Sequence, residues 1–157
     1  MSVMVWGGIS WHGKTEIVFT KGFYKNSKSG INSKVDTNIL KHDLLPFVKK
    51  KYQDENWEFL QDNAPIHKSK FALKWSNGNS IQFIVFPPGS PDLNPIEKIW
   101  KELNDMVETD NPSSLKELKF SIKKNWKKIK MKKIHAQIRH MKAIITKVID
   151  NNGEFLD

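Results

Sequence analysis

The chain has 157 residues, with 26 Lys and Arg against 17 Asp and Glu, a formal net charge of +9 and 38% hydrophobic residues. A chain of this length buries roughly 70% of the surface its unfolded form exposes, which excludes a disordered tail or a small stapled scaffold. The absence of cysteine excludes disulfides, thiolate-bound zinc, iron–sulfur clusters and a thiol nucleophile. No apolar run reaches the 18 or so residues that span a bilayer, and the N-terminus lacks a secretory pattern, so an intracellular protein with no membrane contact is expected.

Taken in chain order, Val3 and Val5 lead through Trp6-Gly7-Gly8-Ile9 as a short strand running into a glycine bend. Glu16 to Thr20 reads as a second strand after the Gly13 turn, and the two together as a hairpin. Tyr24 to Lys34, rich in Asn, Ser and Gly, reads as a loop. From Asn38 the positions Ile39, Leu40, Leu44, Leu45, Phe47 and Val48 fit a helix that ends in Lys49, Lys50 and Lys51, with Pro46 expected to kink or split it. Trp57 to Asp62 reads as a strand ending at an acid. A short helix is expected from about Lys68 to Trp75, stopping before Asn77-Gly78. Ile81 to Phe86, ended by Pro87-Pro88-Gly89, has the unbroken apolar character of a strand covered on both faces, as in parallel sheets.

Three amphipathic helices are expected to close the chain. Their stripes are Ile96, Ile99, Trp100, Leu103, Met106 and Val107; Leu115, Leu118, Ile122, Trp126 and Ile129; and Ile134, Ile138, Met141, Ile145 and Val148. The last two helices are expected to be separated by Lys130 to Lys133. Strands alternating with helices give an α/β class with mixed strand directions in a single domain over 1–157.

Two acids stand where strands give way to loops or helices: Asp62 at the end of one strand, and Glu97 at the start of the helix after the next. Ligands of open α/β sheets gather at the carboxyl ends of strands, so such acids can share a site. Hard divalent cations take carboxylate oxygens and retain water and phosphate as other ligands. Paired ions of this kind activate one oxygen of a phosphodiester displacement and stabilise the other.

The surrounding words carry a resemblance. Gln61-Asp62-Asn63-Ala64-Pro65-Ile66-His67 and Ser90-Pro91-Asp92-Leu93-Asn94-Pro95-Ile96-Glu97, with Trp100 beyond, resemble the second and third acidic motifs of mariner-like DDE transposases, and 34 residues lie between the two acids. Met4 to Ile9 is similar to the early strand of that family, and the stretch from Leu115 through Gly153 to its C-terminal helices. The resemblance implies a ribonuclease H-like mixed sheet with flanking helices and basic C-terminal helices. It implies a nuclear protein, in a eukaryote, that acts in DNA transposition, integration and recombination by Mg2+- or Mn2+-assisted phosphoryl transfer.

In that frame Asp62 and Glu97 are the catalytic, metal-holding acids, while Asn63, His67, Asn94 and Pro95 shape the site. The family's first catalytic Asp lies on a strand before the Val-Trp-Gly-Gly word, and its helix-turn-helix region lies further upstream. The sequence therefore reads as a catalytic-domain fragment without its first, central strand, expected to hold metal weakly and to be catalytically incomplete. An exposed sheet edge would also suit pairing with another transposase chain.

Plainer readings exist for both acids. Asn94-Pro95-Ile96-Glu97 is also a helix start, with Asn as N-cap, Pro first and Glu third, close to a capping box. Asp62 before Asn63 also suits a turn. Five tryptophans, Trp6, Trp57, Trp75, Trp100 and Trp126, read as core, and Trp11 as a turn residue rather than a platform for bases.

Charge is concentrated late in the chain. From Lys116 to Lys147 there are 12 basic residues and one acid, Glu117, while the remainder is nearly neutral. Lys119, Lys123, Lys124, Lys127 and Lys128 lie largely off the apolar stripe and are the expected DNA-phosphate contacts. Arg139 is the only arginine. Binding through lysine point charges should be salt-sensitive and poor in base preference. The alternative function is a non-enzymatic, transposase-derived protein that binds nucleic acid through these basic C-terminal helices.

Overall fold

In the computed structural model, residues 1–20, 33–53, 56–61, 70–84 and 90–151 are described. Two compact units divide the chain: Met1–Gly8 with His12–Pro88, and Ile9–Trp11 with Gly89–Asp157.

In the first unit, β1 (Val5–Trp6) pairs antiparallel with β4 (Val18–Phe19), Val5 opposite Phe19 and Trp6 opposite Val18. The pairing extends beyond these residues: the Thr20 N–H donates to the Met4 carbonyl at 3.1 Å and the Thr15 N–H to that of Gly8 at 2.9 Å. The Thr15 hydroxyl accepts from the Gly8 N–H at 2.8 Å. The expected hairpin partners therefore meet, but the strands are shorter than the apolar runs. Between them in sequence come β2 (Ile9–Ser10), which belongs to the second unit, and β3 (Gly13–Lys14), with a turn at Trp11 and His12.

The next helix starts earlier than the apolar spacing implies. α1 covers Ser33–Ile39, so Ser33 and Lys34 of the expected loop are helical; Tyr24 to Asn32 lies outside the described residues. A π-helical turn, Leu40–Leu44, then leads into α2, Leu45–Tyr52. Pro46 explains the widened turn: it has no N–H to donate, and its ring would clash with the carbonyl four residues back. The wider turn keeps the path helical, so Leu40, Leu44 and Val48 remain on one buried face, packed by Trp6, Phe47, Tyr52, Trp57, Phe59 and Trp75.

β5 (Phe59–Leu60) and β6 (Phe83–Ile84) pair parallel, Phe59 opposite Phe83 and Leu60 opposite Ile84. The two Phe rings lie 5.9 Å apart at 53°. The parallel direction agrees with the unbroken apolar run, but cover on both faces does not hold, because Ile84 is 43% exposed while Ile81 is buried. Between these strands in sequence, α3 runs from Lys70 to Gly78, through the expected Asn77-Gly78 break. It ends at Gly78, and Ser80 just beyond takes a left-handed φ of 54°. The Ser80 N–H reaches the Asn77 carbonyl at 3.2 Å and the Ile81 N–H that of Ser76 at 3.1 Å. This is a Schellman stop with a buried Ile just beyond it.

The second unit holds α4 (Ile96–Asp110), α5 (Leu115–Lys128) and α6 (Met131–Asp150). Ile99, Leu103 and Val107 of α4 are buried, as are Ile122 and Trp126 of α5 and Ile134 and Ile144 of α6. Ile145, expected on the apolar stripe of α6, is instead 48% exposed. The break between α5 and α6 is tighter than expected: only Ile129 and Lys130 separate them, and Lys132 and Lys133 already lie in the first turn of α6. Ser114 caps α5 through its hydroxyl, and Glu117 accepts from Ser113.

Two polar side chains on α5, Ser121 and Asn125, are buried. Both donate to Asp110 at the end of α4, at 2.6 and 2.8 Å, and Lys124 adds an ion pair at 3.2 Å. These bonds, led by that of Ser121, hold the Asp110 carboxyl down at about 2. A carboxylate depressed below its unfolded value stabilises the fold above about pH 4, and that contribution is lost as pH falls through the folded value. Asp110→Asn should therefore lower the melting temperature at neutral pH, with the gap to the wild type closing between about pH 4 and pH 2. Thermal melts across that range check this; a gap that persisted unchanged at pH 2 would contradict it.

Candidate metal and nucleic-acid site

Of the acids singled out by sequence, Glu97 has a described position. It stands exposed in the first turn of α4, at the positive end of the helix dipole. The helix is fixed from below by Ile99, Leu103 and Val107, and Trp100 stacks on Trp126 with ring centroids 5.2 Å apart. Burial of that stripe turns the beginning of the helix, Glu97 and Lys98, outward.

The preceding turn sets where Glu97 begins. Pro91–Leu93 form one turn of 3₁₀ helix, closed by the Asn94 N–H donating to the Pro91 carbonyl at 3.0 Å. The Asn94 carbonyl accepts from the Glu97 N–H at 3.1 Å, and its side-chain oxygen faces the Ile96 N–H at 3.5 Å. Asn94 thus serves the helix start, but Pro95 occupies the cap position and the helix begins at Ile96. In a capping box the Glu would reach back to the Asn94 N–H. Here that N–H donates to the Pro91 carbonyl.

Asn94, Pro95 and Glu97 line a cavity of about 60 Å³ together with Asp92, and Gln137, Met141 and Ile144 of α6 close it. Asp92 and the α6 residues are the additions the structure makes. The signal for the latter was present in sequence, since 137, 141 and 144 share one helical face. Asp62, Asn63 and His67 lie outside the described residues; β5 ends at Leu60, just before them.

Among the described residues no three His, Asp or Glu side chains gather where a metal could sit. The donor type nevertheless suits the implied ion: an exposed carboxylate in a proline-fixed turn is a hard oxygen ligand that keeps room for water and phosphate.

The five lysines all lie on α5 but differ in situation. Lys123, Lys124, Lys127 and Lys128 are exposed and Lys119 is half-buried. Lys124 is held by Asp110, which offsets its charge before any phosphate arrives. On α6, Lys133 is paired with Glu102. No described helix is long and apolar enough to cross a membrane.

Comparisons with known proteins show which family the chain resembles. The family model of the DDE superfamily endonucleases matches residues 22–119, a span that contains both Asp62 and Glu97. The chain is 31% identical over 154 residues to the Tc3 transposase of Caenorhabditis elegans, covering 97% of this chain and 44% of that protein. It is 31% identical over 153 residues to the Tc1 transposase of the same organism, and 29% over 152 residues to the Tcb1 transposase of Caenorhabditis briggsae. Each of those alignments covers 97% of this chain and 53% of the relative. The chain thus spans about half the length of the curated relatives it matches. A family match over most of the chain, with both acidic words inside it, makes this protein a member of the DDE superfamily endonucleases.

Proposed function

We propose that this chain belongs to a ribonuclease H-like catalytic domain, in which Asp62 and Glu97 hold Mg2+ or Mn2+ against a DNA phosphodiester. The observation that carries this reading is Glu97 itself, an exposed acid in the first turn of α4, within a family match that includes Asp62. A bound divalent ion supplies charge neutralisation at the phosphate and lowers the pKa of a ligating water or hydroxyl. Asn94 and Pro95 fix the turn that presents Glu97, and Asn63 and His67 shape the loop after Asp62. The relatives are named as transposases of transposable elements. By that likeness the partner is DNA, with another transposase chain beside it, and the setting is the nucleus. Metal-dependent DNA binding is the direct readout.

Fluorescence anisotropy with a labelled duplex should show affinity rising on addition of manganese, and Glu97→Gln should abolish that gain while leaving metal-free binding unchanged. Binding that ignored manganese in the wild type would overturn the metal reading and favour the non-enzymatic alternative, in which the basic helices alone engage nucleic acid.

The lysines make a separate prediction. Each phosphate contact removed lowers the slope of log affinity against log salt by about one. The double substitution Lys127→Ala with Lys128→Ala should therefore reduce the slope by about two. Lys124→Ala should reduce it less than Lys128→Ala, because Asp110 already offsets that charge. Salt titrations with the four proteins decide the matter, and an unchanged slope in the double variant would place the DNA elsewhere.

A further inference from the structure

Trp11 is not the plain turn residue that its neighbours in sequence imply. It is 45% exposed, and its indole stacks on His135 with centroids 4.1 Å apart and planes at 21°. The His135 Nε2 lies 2.8 Å from the Trp11 carbonyl oxygen. A carbonyl only accepts, so Nε2 donates, and this bond ties the imidazole to the backbone of the residue it stacks on. The Arg139 guanidinium lies 5.7 Å from the indole centroid. His135 and Arg139 are one helical turn apart on α6.

A large aromatic ring held rigidly, half-exposed and set beside a guanidinium has little to gain from water. It also sits on a helix of one sign: α6 carries five basic residues and a single acid, Asp150 at its end. A polyanion with planar apolar groups matches both properties. We propose that the exposed part of the Trp11 ring is a stacking platform for an unpaired DNA base, with Arg139 bridging the ring and the adjoining phosphate. The idea rests on the DNA reading above and adds a place on the chain where unpaired rather than duplex DNA is engaged. Stacking is tolerant of base identity, so the platform selects for an unpaired end and not for its sequence.

Anisotropy with three DNAs tests the platform: a blunt duplex, the same duplex with a short single-stranded overhang, and one whose overhang has identical phosphates but abasic sugars. The wild-type protein should bind the base-bearing overhang about tenfold more tightly than the abasic one. Trp11→Ala should remove that preference and leave affinity for the blunt duplex unchanged, while Trp11→Phe should keep part of it. Equal affinity of the wild type for the two overhangs would overturn the proposal without any variant being needed, and so would a preference surviving in Trp11→Ala. Binding to all three DNAs alike would leave the DNA reading standing, whereas binding to none would remove both.

Discussion

Trp126→Ala is expected to destabilise the second unit by about 3–5 kcal/mol, the range for truncating a large aromatic in a packed core. The side chain is only 2% exposed and stacks at 21° on Trp100, so the change deletes both its burial and a ring pair worth about 0.5–1.5 kcal/mol. On a domain of this size the melting temperature should fall on the order of 10 °C. Phe120 lies six positions earlier on the same helix and is 70% exposed, so Phe120→Ala should cost no more than about 0.5 kcal/mol. Chemical denaturation of the two variants side by side measures both. Equal losses would mean that α5 is not packed as described.

The second large effect concerns the acids. If Asp62 and Glu97 serve one ion, removing either leaves the other with no metal to share, so the two losses do not add. Even residues that merely orient metal ligands cost about 10–100-fold in metal affinity when removed. Asp62→Asn and Glu97→Gln should each weaken manganese binding by about 100-fold or more, and the double variant should be no worse than the weaker single. Manganese titration by calorimetry gives the cycle. Losses that add in free energy would assign the two acids to separate ions or separate roles.

Much of this was legible in the residues because the physics was local. The stripes Ile99-Leu103-Val107 and Ile122-Trp126 are periodic, and burial follows period. Proline 46 announced an interruption of its helix, though not that the chain would absorb it in a π turn and stay helical. The motif around Glu97 was readable for the same reason, since Asn94, Pro95 and Glu97 lie within one turn of chain. The cavity behind it was less so, because its wall comes from α6, some 40 residues on.

What stayed hidden depends on distant partners. Ser121 and Asn125 look like ordinary polar positions on a lysine-rich helix until Asp110, 11 and 15 residues away, is placed against them. Trp11 and His135 are separated by 124 residues, and nothing in either neighbourhood announces the other. Lys124 illustrates the reverse case: charge density made it a phosphate contact, and its pairing with Asp110 offsets that charge. The Asn77-Gly78 pair misled because a turn word inside a helix signals an end only where the backbone leaves the helical region, which here happens at Ser80.

The central claim is that Asp62 and Glu97 together hold a divalent ion. The measurement that reaches it most directly is the melting temperature of the purified chain with and without manganese, beside Asp62→Asn and Glu97→Gln. An ion that binds only the folded state stabilises it by about 2.7 kcal/mol at 100 times its dissociation constant. The account predicts a cooperative transition that moves up with manganese in the wild type and does not move in either variant. A shift of the same size in all three proteins, or none in the wild type, would contradict it.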